Sequence, residues 1–271
     1  MIDNSSPNPI IPDIHKSYFT LGSTKEEVLR IQGTPKQFGE YEWSYGLSTV
    51  QFRNDRVVSW TIYAVNPLRV KMLPSAPVSG PHDYFTVGSS KDAVLAVQGT
   101  PTQVGDYEWS YGLSTVQFRN DLVVSWTIYA VNPLHARMVP SSVDAASSSY
   151  FTLGSTKDEV LRVQGTPSQI GDYEWGYGLS TVQFRDGRVV SWTIYAVNPL
   201  RAKMRPSAPV SNSPGYFTEG STKDEVLQVQ GTPTHVDDSE WGYGLSTVQF
   251  RDGRVVSWTT YSVNPLRAKK F

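Results

Sequence analysis

Alternating apolar and polar residues dominate one segment of the chain, and that segment occurs four times. It reads YEWSYGLSTVQF from Tyr41 to Phe52, and close copies begin at Tyr107, Tyr173 and Ser239. The surrounding sequence repeats as well, from positions 18, 84, 150 and 216, a constant period of 66 residues without insertion or deletion. A fixed period in this range indicates tandem structural repeats rather than one large core.

Each repeat begins with the pattern of a short helix. In the first repeat, GSTKEEVLRIQGTP places Thr24 as N-cap and Glu27 three residues later, which is a capping box. Gly33 is suited to the left-handed position at the helix end, and Pro35 prevents continuation. A helix this short needs a sheet to pack against. Its apolar face is formed by Val28, Leu29 and Ile31.

Three strands are predicted after the helix, because apolar residues then recur at every second position. The last two strands are joined by Asn54-Asp55, or by Asp-Gly in repeats 3 and 4, and these pairs favour a tight hairpin turn. Leu68–Lys71 is a candidate fourth edge strand. The residues expected to pack on the helix are Tyr41, Trp43, Tyr45, Val50, Phe52, Val58, Trp60 and Ile62. The opposite face carries Glu42, Ser44, Thr49, Gln51, Arg53, Thr61 and Tyr63.

The predicted fold class is therefore α+β, with four tandem 66-residue repeats, each a short helix on a three- to four-stranded antiparallel meander. The period alone permits either a continuous array or four separate modules. Segments rich in Pro, Ser and Ala are predicted as linkers. The predicted boundaries are 1–17 for an N-terminal extension, 18–72, 84–138, 150–204 and 216–271 for the repeats, and 73–83, 139–149 and 205–215 for the linkers.

Composition narrows the function classes. The 271 residues include no cysteine, which excludes disulfides, thiolate metal ligands and cysteine nucleophiles. A net charge of -1 gives no overall basic field for nucleic acid. No apolar run is long enough for a transmembrane segment. The first residues lack the basic and apolar regions of a secretory signal, so we expect a cytoplasmic protein, or an extracytoplasmic one if Met1 is not the native start.

The repeats do not carry a recurring set of residues typical of a catalytic site. The four histidines, at positions 15, 82, 135 and 235, fall at unrelated points of the repeat, so we expect neither a metal site nor a cofactor. Glu42 recurs in every repeat beside a tryptophan, but glycoside chemistry needs a second carboxylate at a defined distance. A cross-strand pair such as Glu42 with Arg53 is the simpler interpretation. We therefore expect a protein that is not an enzyme.

The aromatic residues have two interpretations. Alternation places both tryptophans of each repeat in the core, whereas a lectin would expose them to sugar rings. Tyr63 falls on the opposite face, and tyrosine is enriched at interaction surfaces. A basic segment after each Asn-Pro-Leu is either an interface or a charged edge that blocks aggregation. The candidate partner-binding residues are Tyr63, Tyr129, Tyr195 and Tyr261; Gln51, Gln117, Gln183 and Gln249; Arg53, Arg119, Arg185 and Arg251; and Arg69, Arg137, Arg201 and Arg267.

The segment GSTKDEVLRVQGTP, followed by YEWGYG and STVQFRDGRVVSW, resembles the SmpA/OmlA (BamE-like) lipoprotein domain. The chain is also similar in architecture to the β-lactamase inhibitor proteins, which are tandem helix-and-sheet units. The resemblance covers most of each repeat. It implies a non-enzymatic domain that binds other proteins, with an aromatic-rich sheet surface as the contact. Each repeat here shows one helix where that family usually has two.

Taken together, these patterns predict a non-catalytic, multivalent scaffold or linker that binds protein subunits of a larger assembly. One such assembly is the cyanobacterial light-harvesting antenna, in which the chain would be a phycobilisome linker. Two alternatives remain: a lectin-like or cell-surface protein that binds carbohydrate through the repeated aromatics, and an envelope assembly protein of the BamE-like type.

Overall fold

A computed structural model describes residues 17–75, 77–78, 83–141, 148–207 and 215–270. The chain divides by internal contacts into two compact units, 1–123 and 124–271. The predicted extension at 1–17 lies almost wholly outside the described residues, as do His15, His82 and the middle of each predicted linker.

The described residues contain one eight-residue helix in each repeat. The predicted capping box is confirmed in repeat 1, where the Thr24 side chain accepts the Glu27 N–H and Glu27 accepts the Thr24 N–H. The positive φ predicted at Gly33 is confirmed at +88°, and its N–H donates to the Leu29 carbonyl at 2.9 Å. Local sequence thus defines both helix ends. The helices are α1 Lys25–Gln32, α2 Lys91–Gln98, α3 Lys157–Gln164 and α4 Lys223–Gln230.

Four antiparallel strands follow each helix, and all sixteen form one sheet whose spatial order equals their order in sequence. The strands of repeats 1 and 2 are β1 Gln37–Phe38, β2 Glu42–Tyr45, β3 Ser48–Arg53, β4 Arg56–Thr61, β5 Gln103–Val104, β6 Glu108–Tyr111, β7 Ser114–Arg119 and β8 Leu122–Thr127. Those of repeats 3 and 4 are β9 Gln169–Ile170, β10 Glu174–Tyr177, β11 Ser180–Arg185, β12 Arg188–Thr193, β13 His235–Val236, β14 Glu240–Tyr243, β15 Ser246–Arg251 and β16 Arg254–Thr259.

The fourth strand of each repeat lies before the predicted three. The prediction of an edge strand at Leu68–Lys71 is wrong, because this segment makes a single parallel bridge, at Val70, to Phe19. The Phe19 N–H donates to the Arg69 carbonyl at 2.9 Å, and the Lys71 N–H donates to the Phe19 carbonyl at 3.0 Å. The segment therefore ties the end of a repeat to its beginning.

The hairpin turns have the predicted geometry. Asn54 and Asp55 have φ of 50° and 58°, and in repeat 3 Asp186 and Gly187 have 52° and 74°. Two successive positive φ values match the right-handed twist of the strands they connect. The turn residues thus fix the β3–β4 type of hairpin in each repeat.

The core beneath the sheet contains most of the predicted residues, with two corrections, and Ile62 is only half-buried. Trp43, Tyr45, Val50, Phe52 and Trp60 are buried as predicted. The prediction for Tyr41 is wrong, since this side chain lies before β2 and is exposed. Val58 is also mostly outside the core, for the reason given in the next paragraph.

A β-bulge shifts the alternation in β4. Gln51 faces Ser59 and Phe52 faces Val57, so Val58 is an extra residue without an opposite partner. The bulge buries Val57 and turns Val58 toward solvent, while Trp60 stays in the core. The same shift occurs between Gln183 and Phe184 and between Gln249 and Phe250 in repeats 3 and 4.

Candidate protein-binding surface

In each repeat, an asparagine lies between two turns at one end of the strands. In repeat 1, residues Tyr63–Asn66 form a turn closed by a 2.9 Å bond from the Asn66 N–H to the Tyr63 carbonyl. The Asn66 Oδ1 accepts the Leu47 N–H of the neighbouring β2–β3 turn at 3.0 Å. The fully buried Ser48 hydroxyl accepts the Tyr63 N–H at 2.8 Å and donates to the Asn66 carbonyl. Two turns are thereby held together as one unit.

This unit presents three apolar side chains to solvent. Leu47 is 61% exposed, Tyr63 50% and Val65 72%, although their backbone is held by the bonds around Asn66. We call these three residues the turn cluster. A rigid apolar cluster loses little conformational freedom when a partner covers it. The equivalent residues of the other repeats have closely similar exposure: Leu113, Tyr129 and Val131; Leu179, Tyr195 and Val197; and Leu245, Tyr261 and Val263.

The supporting bonds recur in repeats 3 and 4. In repeat 3 the Leu179 N–H donates to Asn198 Oδ1 at 3.0 Å, and the Tyr195 N–H donates to the Ser180 hydroxyl at 2.8 Å. In repeat 4 the corresponding distances are 3.2 Å to Asn264 and 2.8 Å from the Tyr261 N–H. The turn cluster is therefore a repeated and specifically supported feature.

The predicted glutamines, and the arginines equivalent to Arg53, lie elsewhere, along the exposed face of the sheet. Gln51 is opposite Glu42, and its Nε2 donates to Glu42 Oε2 at 3.1 Å. The suggested pair of Glu42 with Arg53 is therefore wrong, because the strand register places glutamine opposite the carboxylate. Gln117 and Gln183 bind Glu108 and Glu174 in the same way at 3.2 Å, whereas Gln249 accepts the Ser257 hydroxyl.

The first set of predicted arginines lies at the ends of strands and makes no polar side-chain contact of its own among the described residues. Arg53, Arg119, Arg185 and Arg251 are exposed, and within the described part of the chain they form neither an ion pair nor a hydrogen bond from the guanidinium. Each is the last residue of the strand whose first residue lies beside the turn cluster. A strand of six residues is about 20 Å long. These arginines therefore belong to a separate part of the surface.

In the second set of predicted arginines, Arg69, Arg201 and Arg267 lie at the helix end. The Arg69 N–H donates to Gln32 Oε1 at 2.6 Å, and the Arg69 guanidinium donates to the Ile31 carbonyl at 3.2 Å. Arg201 and Arg267 donate their backbone N–H to Gln164 and Gln230 in the same manner. A cation near the last carbonyls stabilises a helix C-terminus. In repeat 2 the position equivalent to Arg69 is His135, whereas Arg137 is equivalent to Lys71 and is exposed.

The tryptophans do not contribute to this surface. Seven of the eight are at least 97% buried, and Trp258 is partly exposed. The hydroxyl of Tyr45, buried among the same core residues, donates to the Gly33 carbonyl at 3.1 Å. Burial raises the pKa of Tyr45 to about 12, and burial also raises the pKa of its equivalents Tyr111, Tyr177 and Tyr243.

Titratable groups are scattered. Among the residues that the structure describes, no three His, Asp or Glu side chains converge as a metal site would require. His235 lies in β13, with Nδ1 at 3.0 Å from the Thr193 hydroxyl. Over the same residues, no helix has the length and apolar character needed to cross a membrane.

Comparison with known proteins adds no relative. The chain matches none of the family models, none of the curated proteins and none of the solved structures with which it was compared. The candidate surface therefore rests on the geometry of the chain alone.

Leu47 and Val65 were missed by the sequence reasoning. Leu47 lies in the turn between β2 and β3, and Val65 lies beyond the alternating pattern of the last strand. The available signal was an apolar residue inside a glycine-containing tight turn, where polar residues are expected, repeated in all four units.

Proposed function

We propose that the protein is a multivalent protein-binding scaffold whose four turn clusters contact a repeated or multi-subunit partner. The observation that carries the proposal is the fourfold recurrence of an exposed Leu, Tyr and Val, on turns that hydrogen bonds to an asparagine and a buried serine hold in repeats 1, 3 and 4. Tyrosine is enriched at the centre of protein interfaces, and apolar neighbours such as Leu and Val help to exclude water from it.

Weak individual sites are consistent with this function. One turn cluster is much smaller than a typical stable interface of about 800 Å² per partner. Four clusters on one chain raise the effective concentration of each site after the first has bound, so avidity exceeds the single-site affinity. A partner with several equivalent surfaces is therefore the type that this arrangement favours.

The direct test is a native pull-down from the source cells with graded baits. Tyr63 and Val65, or their equivalents, are replaced by serine in one, two, three and four repeats, since both are exposed and their loss leaves the core intact. We expect the recovery of a defined partner to fall in steps, with a loss of about tenfold or more in the four-repeat variant. A matched control replaces Arg53, Arg119, Arg185 and Arg251 by serine.

Two results would count against the proposal. One is a partner recovered equally by the wild type and by the four-repeat variant. The other is carbohydrate binding on a glycan array that disappears when the tyrosines are replaced, because this outcome favours the lectin-like alternative. Because seven of the eight tryptophans are buried, such a lectin would stack sugar rings mainly on the exposed tyrosines of the described residues.

A further inference from the structure

Successive repeats are joined by one set of contacts, used three times. At the first junction the Trp60 Nε1 donates to the Pro101 carbonyl at 3.1 Å, and the Ile62 N–H donates to the Thr102 carbonyl at 2.8 Å. The Met72 N–H donates to Thr100 Oγ1 at 2.9 Å. The equivalent donors Trp126, Ile128 and Met138, and then Trp192, Ile194 and Met204, repeat these bonds at 2.7 to 3.1 Å.

The face of repeat 1 that would receive such a junction is open among the described residues. Leu29 is 45% exposed, whereas its equivalents in repeats 2 to 4 are 4 to 5% exposed. Phe38 is 76% exposed, whereas Val104, Ile170 and Val236 are 2 to 9% exposed. The residues equivalent to the acceptors of the internal junctions are Thr34, Pro35 and Lys36. Thr34 offers the same side-chain hydroxyl, and Pro35 and Lys36 offer backbone carbonyls. We call this surface the N-terminal face.

The opposite face of repeat 4, the C-terminal face, keeps the donor half of the junction. Trp258 is partly exposed, whereas Trp60, Trp126 and Trp192 are fully buried. The Ser257 hydroxyl, whose equivalent Ser59 donates to the Val104 carbonyl at 2.5 Å, turns back to Gln249 at 2.9 Å. The donors therefore remain in place while their usual acceptors are absent from the described residues.

Three apolar positions of the C-terminal face are polar in repeat 4. Glu219 replaces the leucine found at position 21, Thr260 replaces the isoleucine at 62, and Lys270 replaces the methionine at 72. All three are exposed. Each change removes apolar area from the junction, and a charge there must be desolvated on contact. A junction made by this face is weaker than the three internal ones.

We propose that a second copy of the chain docks its N-terminal face on the C-terminal face, re-forming the junction between molecules. The Trp258 Nε1 then donates to the Pro35 carbonyl of the second copy, and β16 pairs with its β1. The contact joins two different faces, so each added copy leaves a new C-terminal face free. Association is therefore open-ended, reversible and weak.

Sedimentation velocity of the full chain tests the proposal. We expect the average mass to rise above the 30.2 kDa monomer between about 1 µM and 1 mM and to pass the dimer, as befits a micromolar to millimolar Kd. Phe38→Asp should hold the chain as a monomer. Tyr173→Asp is the matched control, because Tyr173 is equally exposed but lies inside the array.

A second variant strengthens the contact rather than breaking it. Glu219→Leu, Thr260→Ile and Lys270→Met together restore the residues of the internal junctions, and we expect Kd to fall tenfold or more. The control places three apolar residues on the free arginine row, at Arg53, Arg119 and Arg185. A wild type that stays monomeric over the whole range overturns the proposal, and so does a restored variant that associates no more tightly than this control.

Discussion

Gly46 offers the sharpest test of the bonds that hold the turn cluster. Its φ is +81°, and a Cβ at this position would lie 2.4 Å from Asn66 Oδ1. Gly22 has nearly the same φ, +79°, but a Cβ there meets nothing within 4 Å. Alanine at either site pays the strain of a positive φ, about 1–2 kcal/mol. Only alanine at Gly46 must also displace the Asn66 side chain.

The displacement breaks the 3.0 Å bond between the Leu47 N–H and Asn66, which is worth about 1 kcal/mol. We therefore expect Gly46→Ala to destabilise its turn by about 2–3 kcal/mol and Gly22→Ala to destabilise its own by about 1–2 kcal/mol. Hydrogen exchange measured by mass spectrometry reports such local openings separately from global unfolding.

In that assay, 1.4 kcal/mol corresponds to a tenfold change in the opening equilibrium. Amides of Leu47 and of residues 63–66 should exchange at least about tenfold faster in Gly46→Ala. They should be unaffected in Gly22→Ala. Equal exchange of these amides in the two variants would refute the role of Asn66. Gly178→Ala, whose Cβ would lie 2.4 Å from Asn198, should reproduce the effect in repeat 3.

Two further predictions concern the core. Trp60→Phe leaves the buried Pro101 carbonyl without its donor and should lower the free energy of unfolding in urea by about 1–3 kcal/mol. Trp258→Phe should lower it clearly less, because the Trp258 indole has no acceptor among the described residues. Equal losses of stability in the two variants would contradict the junction geometry. Because burial raises the folded pKa of Tyr45 above its unfolded value of 10, its contribution is fully present below pH 10 and is lost as pH rises toward 12. Tyr45→Phe should show a shallower alkaline decline, and an unchanged slope would contradict this.

The elements that follow from local rules could be predicted from the sequence. Thr24 and Glu27 define a helix start by themselves, and Asn54-Asp55 define a hairpin, because each depends on contacts within four residues. The assignment of Trp43 and Trp60 to the core was also correct, since period-two alternation reports burial directly.

The features that failed depend on contacts far apart in the sequence. Strict alternation has no means of signalling the extra residue of a bulge, so Val58 was placed on the wrong side. The sequence permits separate modules as well as a continuous sheet, because the junctions run largely to backbone carbonyls, as from Trp60 to Pro101, and a carbonyl has no residue signature. The indication of the junctions in the sequence is the difference between repeats at Glu219 and Thr260, where repeat 4 has polar residues in place of apolar ones.

The candidate surface was only partly accessible to sequence reasoning. Tyr63 was found because it falls on the polar side of its strand. Its neighbours in space, Leu47 and Val65, were missed because the bond to Asn66 brings together two turns that are separated by about twenty residues.

Three nearly identical junctions also create an ambiguity during folding. The donor half at Trp60 fits the receiving face of repeat 3 or 4 almost as well as that of repeat 2, since Pro101, Pro167 and Pro233 occupy the same place. A nascent chain in which repeat 1 pairs with repeat 3 gains nearly the full contact energy of the correct pairing, and repeat 2 is then left outside the sheet. Misassembly of this kind is a known failure of repeat proteins. The order of synthesis then matters, because a repeat that closes on its neighbour before the next copy emerges removes the competing partner.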